Sequence, residues 1–184
     1  MGLRDRRERR REERETFGRG GEARRYQMRE KMLSIGDDFW IEDDQGERAF
    51  RVDGKALRLR KTFHLEDLEG RTLCTIQKRV MHIRDTMEIE GPDGERMAKV
   101  HKALISPLRD RWDVDVESGP GYEAQGNIVD HEYEIETDGR KVAQVSKRWF
   151  RVRDTYGVEM APDQDPVLLL AVTVAIDEMA HSGT

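Results

Sequence analysis

Hydrophobic and polar residues alternate along most of the chain beyond residue 26. In Leu57–Arg60 the two leucines share one parity and the two arginines share the other, and a similar alternation runs through 150–160. A period of two with polar residues on one side is typical of β-strands that bury a single face. Such strands belong to antiparallel sheets, so the pattern predicts a mainly β protein.

The alternating segments recur with a period of about 24 residues, which indicates a repeated structural unit. Each unit begins at an aromatic residue or a methionine: Phe39, Phe63, Met87, Trp112, Tyr133 and Tyr156. Glycines follow in step within short polar segments: Gly46, Gly70, Gly94, Gly119 and Gly139. A glycine-containing turn between two alternating segments is a β-hairpin signal. Five or six such units predict ten to twelve strands in a meander, which must close into a barrel or split into stacked sheets.

An uncharged run near the C-terminus, 166–176, decides between these two architectures. Its β-branched residues are compatible with a buried strand. However, Asp165 followed by Pro166 is typical of a helix start, and the alanines and overall length also favour a helix. A helix that is apolar all round must be buried, and at about 16 Å it is too short for a bilayer of about 30 Å. A barrel of about twelve strands is wide enough to enclose one apolar helix, so we predict an antiparallel barrel around a helix at 166–180.

Charge divides the chain into a basic N-terminal segment and an acidic remainder. The whole chain has 33 Lys and Arg against 38 Asp and Glu, and residues 1–25 contain ten arginines and six acidic residues. The remainder therefore carries 23 basic and 32 acidic residues, a net charge of −9. Leu3 and Phe17 are the large apolar residues of 1–25, too few to offset the entropy of ordering it. We predict a disordered arm at 1–25, in which Arg/Glu pairs support a transient helix, and a barrel domain at 26–184.

Several classes of protein are disfavoured by the composition. A single cysteine excludes an internal disulfide framework, and there is no Cys/His cluster of the kind that binds zinc. The five histidines lack ligand spacing, and the sequence shows no base that would activate Cys74. We therefore expect neither enzymatic activity nor a metal or cofactor. No apolar run reaches about 18 residues and the first 30 residues lack a signal-peptide core, so we expect a cytoplasmic protein.

Two basic segments are the candidate sites for an anionic ligand. They are 55–61, with Lys55, Arg58, Arg60 and Lys61, and 147–153, with Lys147, Arg148, Arg151 and Arg153. Guanidinium groups match the geometry of phosphate oxygens, and Trp149 adds an aromatic ring suited to a membrane surface. The alternative is that the surface arginines pair with neighbouring acids and bind nothing, which the acidic body favours.

The sequence resembles the LURP-one-related family, part of the wider group that contains tubby C-terminal domains and phospholipid scramblases. The resemblance spans residues 26–181, and it is carried by the turn–strand repeats, by VAQVSKRWFRVRDTYGVEM (142–160) and by DPVLLLAVTVAIDEM (165–179). It implies a twelve-stranded antiparallel barrel around a hydrophobic C-terminal helix. Because tubby domains bind phosphatidylinositol bisphosphate through basic side chains, it also implies a non-enzymatic module for anionic phospholipids.

The calcium loop of scramblases corresponds to residues 152–163. Asp154, Gly157 and Asp163 fit the scramblase pattern, but Val152 stands at the first ligand position. Calcium requires oxygen ligands, so the valine argues against a calcium site here.

The leading functional hypothesis is a binding module for anionic phospholipid headgroups, placed peripherally at a membrane. A second hypothesis is a protein-interaction or structural scaffold whose surface charges only confer solubility. A third is contact with nucleic acid through the basic arm, which the acidic body disfavours.

Overall fold

The structure, a computed structural model, describes residues 3–18, 20–29, 39–57, 60–80, 85–103, 110–149 and 155–181. Within these ranges the chain forms twelve strands between two helices. Their bounds are α1 Leu3–Phe17, β1 Arg24–Arg29, β2 Phe39–Asp43, β3 Arg48–Leu57, β4 Arg60–Glu66, β5 Thr72–Val80, β6 Asp85–Glu90, β7 Arg96–Lys102, β8 Asp110–Val116, β9 Tyr122–Asn127, β10 Glu132–Thr137, β11 Arg140–Ser146, β12 Thr155–Met160 and α2 Pro166–His181.

The twelve strands form a closed antiparallel barrel in which each strand pairs with its neighbours in sequence. β1 closes the barrel by pairing with β12, with Tyr26 opposite Val158, and also with β2, with Tyr26 opposite Asp43. The predicted barrel of about twelve strands is confirmed. Strands such as β6 contribute alternate residues to the core, and Met87 and Ile89 of β6 are fully buried, whereas all six residues of β12 are buried.

The 24-residue repeat corresponds to a repeated hairpin turn. The glycines Gly46, Gly70 and Gly94 all have φ of 79°, a backbone conformation that favours glycine over residues with a Cβ. In the first two turns, one carboxylate oxygen of Asp43 or Asp67 accepts two backbone amides across the turn. The sequence signal D-x-x-G therefore reports a specific turn geometry and fixes the register of each hairpin.

Helix α2 fills the barrel interior, as predicted. The backbone amide of Val167 donates to Asp165 Oδ1 at 2.9 Å, which makes Asp165 the N-cap. Leu169, Leu170 and Ala171 are fully buried, and α2 packs against β5, β6, β7 and β12. Burial of each leucine contributes about 1.5–3 kcal/mol, so this helix is a major part of the core.

The barrel has two chemically different ends. The connections β2–β3, β4–β5, β6–β7, β8–β9, β10–β11 and β12–α2 lie at one end, here called the turn end. The connections β1–β2, β3–β4, β5–β6, β7–β8, β9–β10 and β11–β12 lie at the other, here called the loop end. Helix α2 enters at the turn end and runs towards the loop end.

In the N-terminal segment, predicted as a disordered arm with a transient helix, residues 3–17 form helix α1. Arg9 Nη1 donates to the carbonyl oxygen of Gly139 at 3.0 Å, and Lys141 Nζ lies 2.6 Å from Glu13 Oε1. These contacts join residues about 130 positions apart, so local composition could not indicate them. The barrel also begins at Arg24, two residues before the predicted boundary.

Candidate functional site

The first predicted basic segment lies on the β3–β4 hairpin. In its register Lys55 is opposite Thr62, Ala56 is opposite Lys61, and Leu57 is opposite Arg60. The hairpin reverses at the loop end, so the backbones of Lys55, Arg60 and Lys61 are all placed there. Arg58 lies outside the described residues.

The second predicted basic segment begins where β11 ends, also at the loop end. The Lys147 backbone amide and the Ser146 hydroxyl both donate to Glu132 Oε1, at 3.1 and 2.9 Å. Arg148 Nε lies 3.5 Å from Glu132 Oε2, while 83% of the Arg148 side chain remains exposed. Arg151 and Arg153 lie outside the described residues. The Glu132 carboxylate therefore holds the start of this segment in place, while most of the Arg148 side chain remains exposed to solvent.

The fold brings the described parts of the two basic segments, 55–57 with 60–61 and 147–149, to the same end of the barrel. The strand order β12–β1–β2–β3 separates them by three strand spacings, about 14 Å around the wall. Lys102 ends β7 at this same end, and Lys78 lies two residues before the end of β5. Lys78 and Lys102 each follow a turn glycine, Gly70 or Gly94, by eight residues. A strand of about this length runs from one end of the barrel to the other, so this spacing places both lysines near the loop end. The binding role of these residues stays a prediction.

Charge is separated along the barrel axis. The six turn-end connections named above carry a single basic residue, Arg71, and ten acidic ones: Asp44, Glu47, Asp67, Glu69, Asp93, Glu95, Glu117, Asp138, Asp163 and Asp165. The connection from α1 to β1 also meets the barrel at this end and adds one residue of each sign, Arg19 and Glu22. Connections at the loop end carry five acidic residues, Glu30, Asp37, Asp38, Asp130 and Asp154. Their basic residues are more numerous: Lys31, Arg58, Arg84, Arg109, Lys147, Arg148, Arg151 and Arg153. The net negative charge of the body is therefore concentrated away from the two basic segments.

Arginines on the barrel wall, in contrast, pair with acids on adjacent strands. Arg79 lies 2.7 Å from both Glu88 and Glu90, and its hydrogen bond to Glu88 raises the pKa of the Arg79 guanidinium. Arg111 lies 3.5 Å from Glu123 on the adjacent strand β9, and 3.1 Å from Asp113 on its own strand. Exposed pairs of this kind contribute at most about 1 kcal/mol each. At these positions on the wall the arginines therefore pair with neighbouring acids, which is the alternative to ligand binding given above.

Comparison with known proteins identifies the family. A model of the LURP-one-related family matches residues 24–177, which is most of the barrel and its helix. The chain belongs to the LURP-one-related family. The X-ray structure of a protein from Arabidopsis thaliana is similar to the LURP-one-related barrel, with a TM-score of 0.59 and 14% sequence identity. The similarity covers 86% of this chain and 92% of that one, and at this identity it shows the fold alone. No curated protein matches.

A buried polar cluster at the loop end of the LURP-one-related barrel was not indicated by its sequence. His131 Nε2 lies 3.4 Å from Asp177 Oδ2, the Tyr156 hydroxyl donates to the same oxygen, and the His131 and Tyr156 rings stack with centroids 4.2 Å apart. Burial raises the pKa of the neighbouring Tyr133 well above its usual value, with a further contribution from the Asp177 charge. The sequence feature that could have indicated this cluster is the pair of acids, Asp177 and Glu178, directly after an apolar helical run. The cluster ties the β9–β10 turn and β12 to α2 from inside the barrel.

The remaining candidate chemical groups are unreactive or already paired. Burial raises the pKa of Cys74 to about 12, with a smaller contribution from Asp165, so the thiol is protonated at neutral pH. Asp163, considered above for calcium, accepts a hydrogen bond from Arg140 at 2.8 Å, and Asp154 lies outside the described residues. Across the described ranges, no three His, Cys, Asp or Glu residues are grouped so as to hold a metal ion. No helix in these ranges is long and apolar enough to cross a membrane.

Proposed function

We propose that this LURP-one-related barrel is a non-enzymatic binding module for anionic phospholipid headgroups, acting peripherally at the cytoplasmic surface of a membrane. The observation that supports the proposal is that the described parts of both basic segments, 55–57 with 60–61 and 147–149, lie at the loop end, while the acidic connections lie at the turn end. Membership of the family, through its tubby-like relatives, supports the same class of ligand.

The charge separation would orient the molecule at an anionic surface. Each Lys or Arg close to such a surface contributes about 1 kcal/mol, and the attraction falls off within about one Debye length, roughly 10 Å. The acidic turn end lies beyond that distance when the loop end faces the lipid, because strands of six or more residues span about 20 Å. A protein of net negative charge can therefore adhere to a negative membrane through one end.

The absence of enzymatic activity is part of the proposal. Of the described groups with raised pKa values, Cys74 and Tyr133 are buried in the barrel, where a substrate cannot reach them. The shifted arginines are engaged by carboxylates on the wall.

Vesicle flotation tests the proposal. The full chain is mixed with vesicles of phosphatidylcholine alone, with added phosphatidylserine, or with added phosphatidylinositol bisphosphate. We expect flotation with the anionic vesicles, and we expect it to be lost when Arg58, Arg60, Arg151 and Arg153 are all changed to Glu. Four matched reversals at exposed arginines near the turn end, Arg48, Arg71, Arg96 and Arg140, change the net charge equally and should reduce flotation much less.

The arm requires its own control. Replacing Arg4, Arg6, Arg7 and Arg10 of α1 by Gln removes basic charge without altering the barrel. Flotation that persists in this variant supports a site on the barrel, whereas flotation that is lost assigns adhesion to the arm. No flotation of the unmodified chain with any anionic vesicle would contradict the proposal.

A further inference from the structure

A groove crosses the outer wall of the barrel beside α1. It consists of two adjoining clefts of about 510 and 500 Å³ that share Gln144 and Trp149 in their lining. The first lies over β12 and β1 and is bounded by Phe17 at the end of α1. The second lies over β9, β10 and β11. We refer to the two together as the Trp149 groove.

The Trp149 groove is acidic. Arg25 and Arg148 are its basic residues, and five carboxylates line it: Asp43, Asp44, Glu132, Glu134 and Glu159. Buried Glu159 is neutralised by Arg25, with Gln144 donating to its second oxygen. Glu132 is paired with Arg148, and Glu134 lies 3.2 Å from Lys141. Among the described residues no cation lies within 4 Å of the exposed Asp44 carboxylate, so a net negative charge faces solvent along the groove.

Aromatic residues occur along the same groove. Trp149 stands where the two clefts meet and is 39% exposed, and Phe17 bounds the first cleft. Nearby, the protein itself places cations over rings: Lys141 Nζ lies 4.9 Å from the Phe17 ring centroid and Arg48 Cζ 4.4 Å from that of Trp40. Guanidinium and ammonium groups are attracted to aromatic faces, and nearby carboxylates strengthen that attraction.

We infer that the Trp149 groove binds a basic, extended segment of a partner protein, with an arginine or lysine side chain against Trp149. The carboxylates repel an anionic ligand, so this surface adjoins the loop-end site at Arg148 and Trp149 but takes a ligand of the opposite charge. The groove spans four strand spacings, from β9 to β1, or about 19 Å, which is the reach of about six extended residues. The inference therefore adds a second partner class at a second surface and does not depend on lipid binding.

Fluorescence anisotropy with a labelled peptide tests the inference. The probe is a Gly-Arg-Gly-Arg-Gly-Arg-Gly peptide, and its counterpart carries Glu in place of each Arg. We expect the arginine peptide to bind the full chain and the glutamate peptide not to bind. Trp149→Ala should weaken binding about tenfold, whereas Trp149→Phe, which keeps a ring, should retain most of it.

A charge-matched comparison distinguishes the groove from general attraction to an acidic protein. Asp44→Lys with Glu134→Lys should weaken peptide binding at least tenfold. Asp93→Lys with Glu95→Lys makes the same change in net charge at the exposed β6–β7 turn, away from the groove, and should weaken it by less than about threefold. Thermal unfolding of each variant verifies that it remains folded.

Two results would overturn the inference. Equal losses in the two double variants would show that the peptide responds only to total charge. Unchanged binding by Trp149→Ala would show that the groove is not the site. Unchanged vesicle flotation of the Asp44/Glu134 double variant is expected, because neither residue belongs to the two basic segments.

Discussion

Single residues at the loop end show how this barrel accommodates polar groups in its interior. Asp177 follows an apolar helical run, and its carboxylate meets His131 and the Tyr156 hydroxyl at almost no exposure to solvent. A buried carboxylate is tolerated when it is hydrogen-bonded, and its partners then depend on it in turn.

Replacing Asp177 by Ala should therefore destabilise the protein by about 2–4 kcal/mol, since His131 and Tyr156 lose the buried acceptor that they contact. Urea unfolding measures the change. Asp163→Ala is the matched control, because it removes an exposed pair with Arg140 and should cost less than about 1 kcal/mol. Similar losses in the two variants would show that the interior cluster has no special role.

Cys74 provides a second prediction at this scale. With its pKa raised to about 12, only about one thiol in ten thousand is ionised at pH 8, and the side chain is fully buried. Iodoacetamide should leave the folded protein unmodified at pH 8 and label it completely in denaturing urea, as followed by mass spectrometry. Rapid labelling of the folded chain would contradict the burial of this residue.

The raised pKa of Cys74 also affects the stability of the folded protein at alkaline pH. In the unfolded chain Cys74 loses its proton near its ordinary pKa of about 8.5, whereas the folded protein retains it up to about 12. Above pH 9 the unfolded state therefore binds fewer protons, so stability falls as the pH rises. The raised pKa of Tyr133 acts in the same direction.

At the scale of elements, α2 is the element on which the barrel depends. Twelve strands enclose more space than their own side chains fill, and the fully buried face of α2 around Leu169 occupies it.

Leu169→Asp should abolish cooperative unfolding, because an unpaired charge in the core is not tolerated. Circular dichroism during heating measures this. Val129→Asp places the same group at a position that is 53% exposed and should leave the transition nearly unchanged.

Sequence patterns predicted the elements better than they predicted the contacts between them. Strands, turns and α2 follow from local signals: alternation, the D-x-x-G turns and the Asp165–Pro166 start. Contacts such as Lys141 with Glu13, or His131 with Asp177, join residues that are far apart in sequence and have no pattern in common. The basic segments were visible as composition, but they reach the same end of the barrel because an even number of strands, β4 to β11, lies between the two connections.

For the whole molecule, the most informative property is the separation of charge between the turn end and the loop end. It predicts a fixed orientation at an anionic surface. Since Cys74 is buried, a single reactive cysteine introduced by Arg148→Cys or by Asp93→Cys can carry an environment-sensitive dye. We expect a blue shift on phosphatidylserine vesicles for the dye at 148 and none for the dye at 93. Equal shifts would show that the protein has no preferred orientation.

Barrel closure has a consequence for synthesis on the ribosome. Among the twelve strands β1 is made first and its partner β12 last, followed by the interior helix α2, so the pairs that close the barrel join residues such as Tyr26 and Val158. Until about residue 180 has emerged, the nascent chain is a curled sheet whose apolar face has no helix to cover it. The barrel therefore closes around α2 only in a late step of synthesis. We expect chains arrested before α2 to engage chaperones and to resist proteolysis poorly.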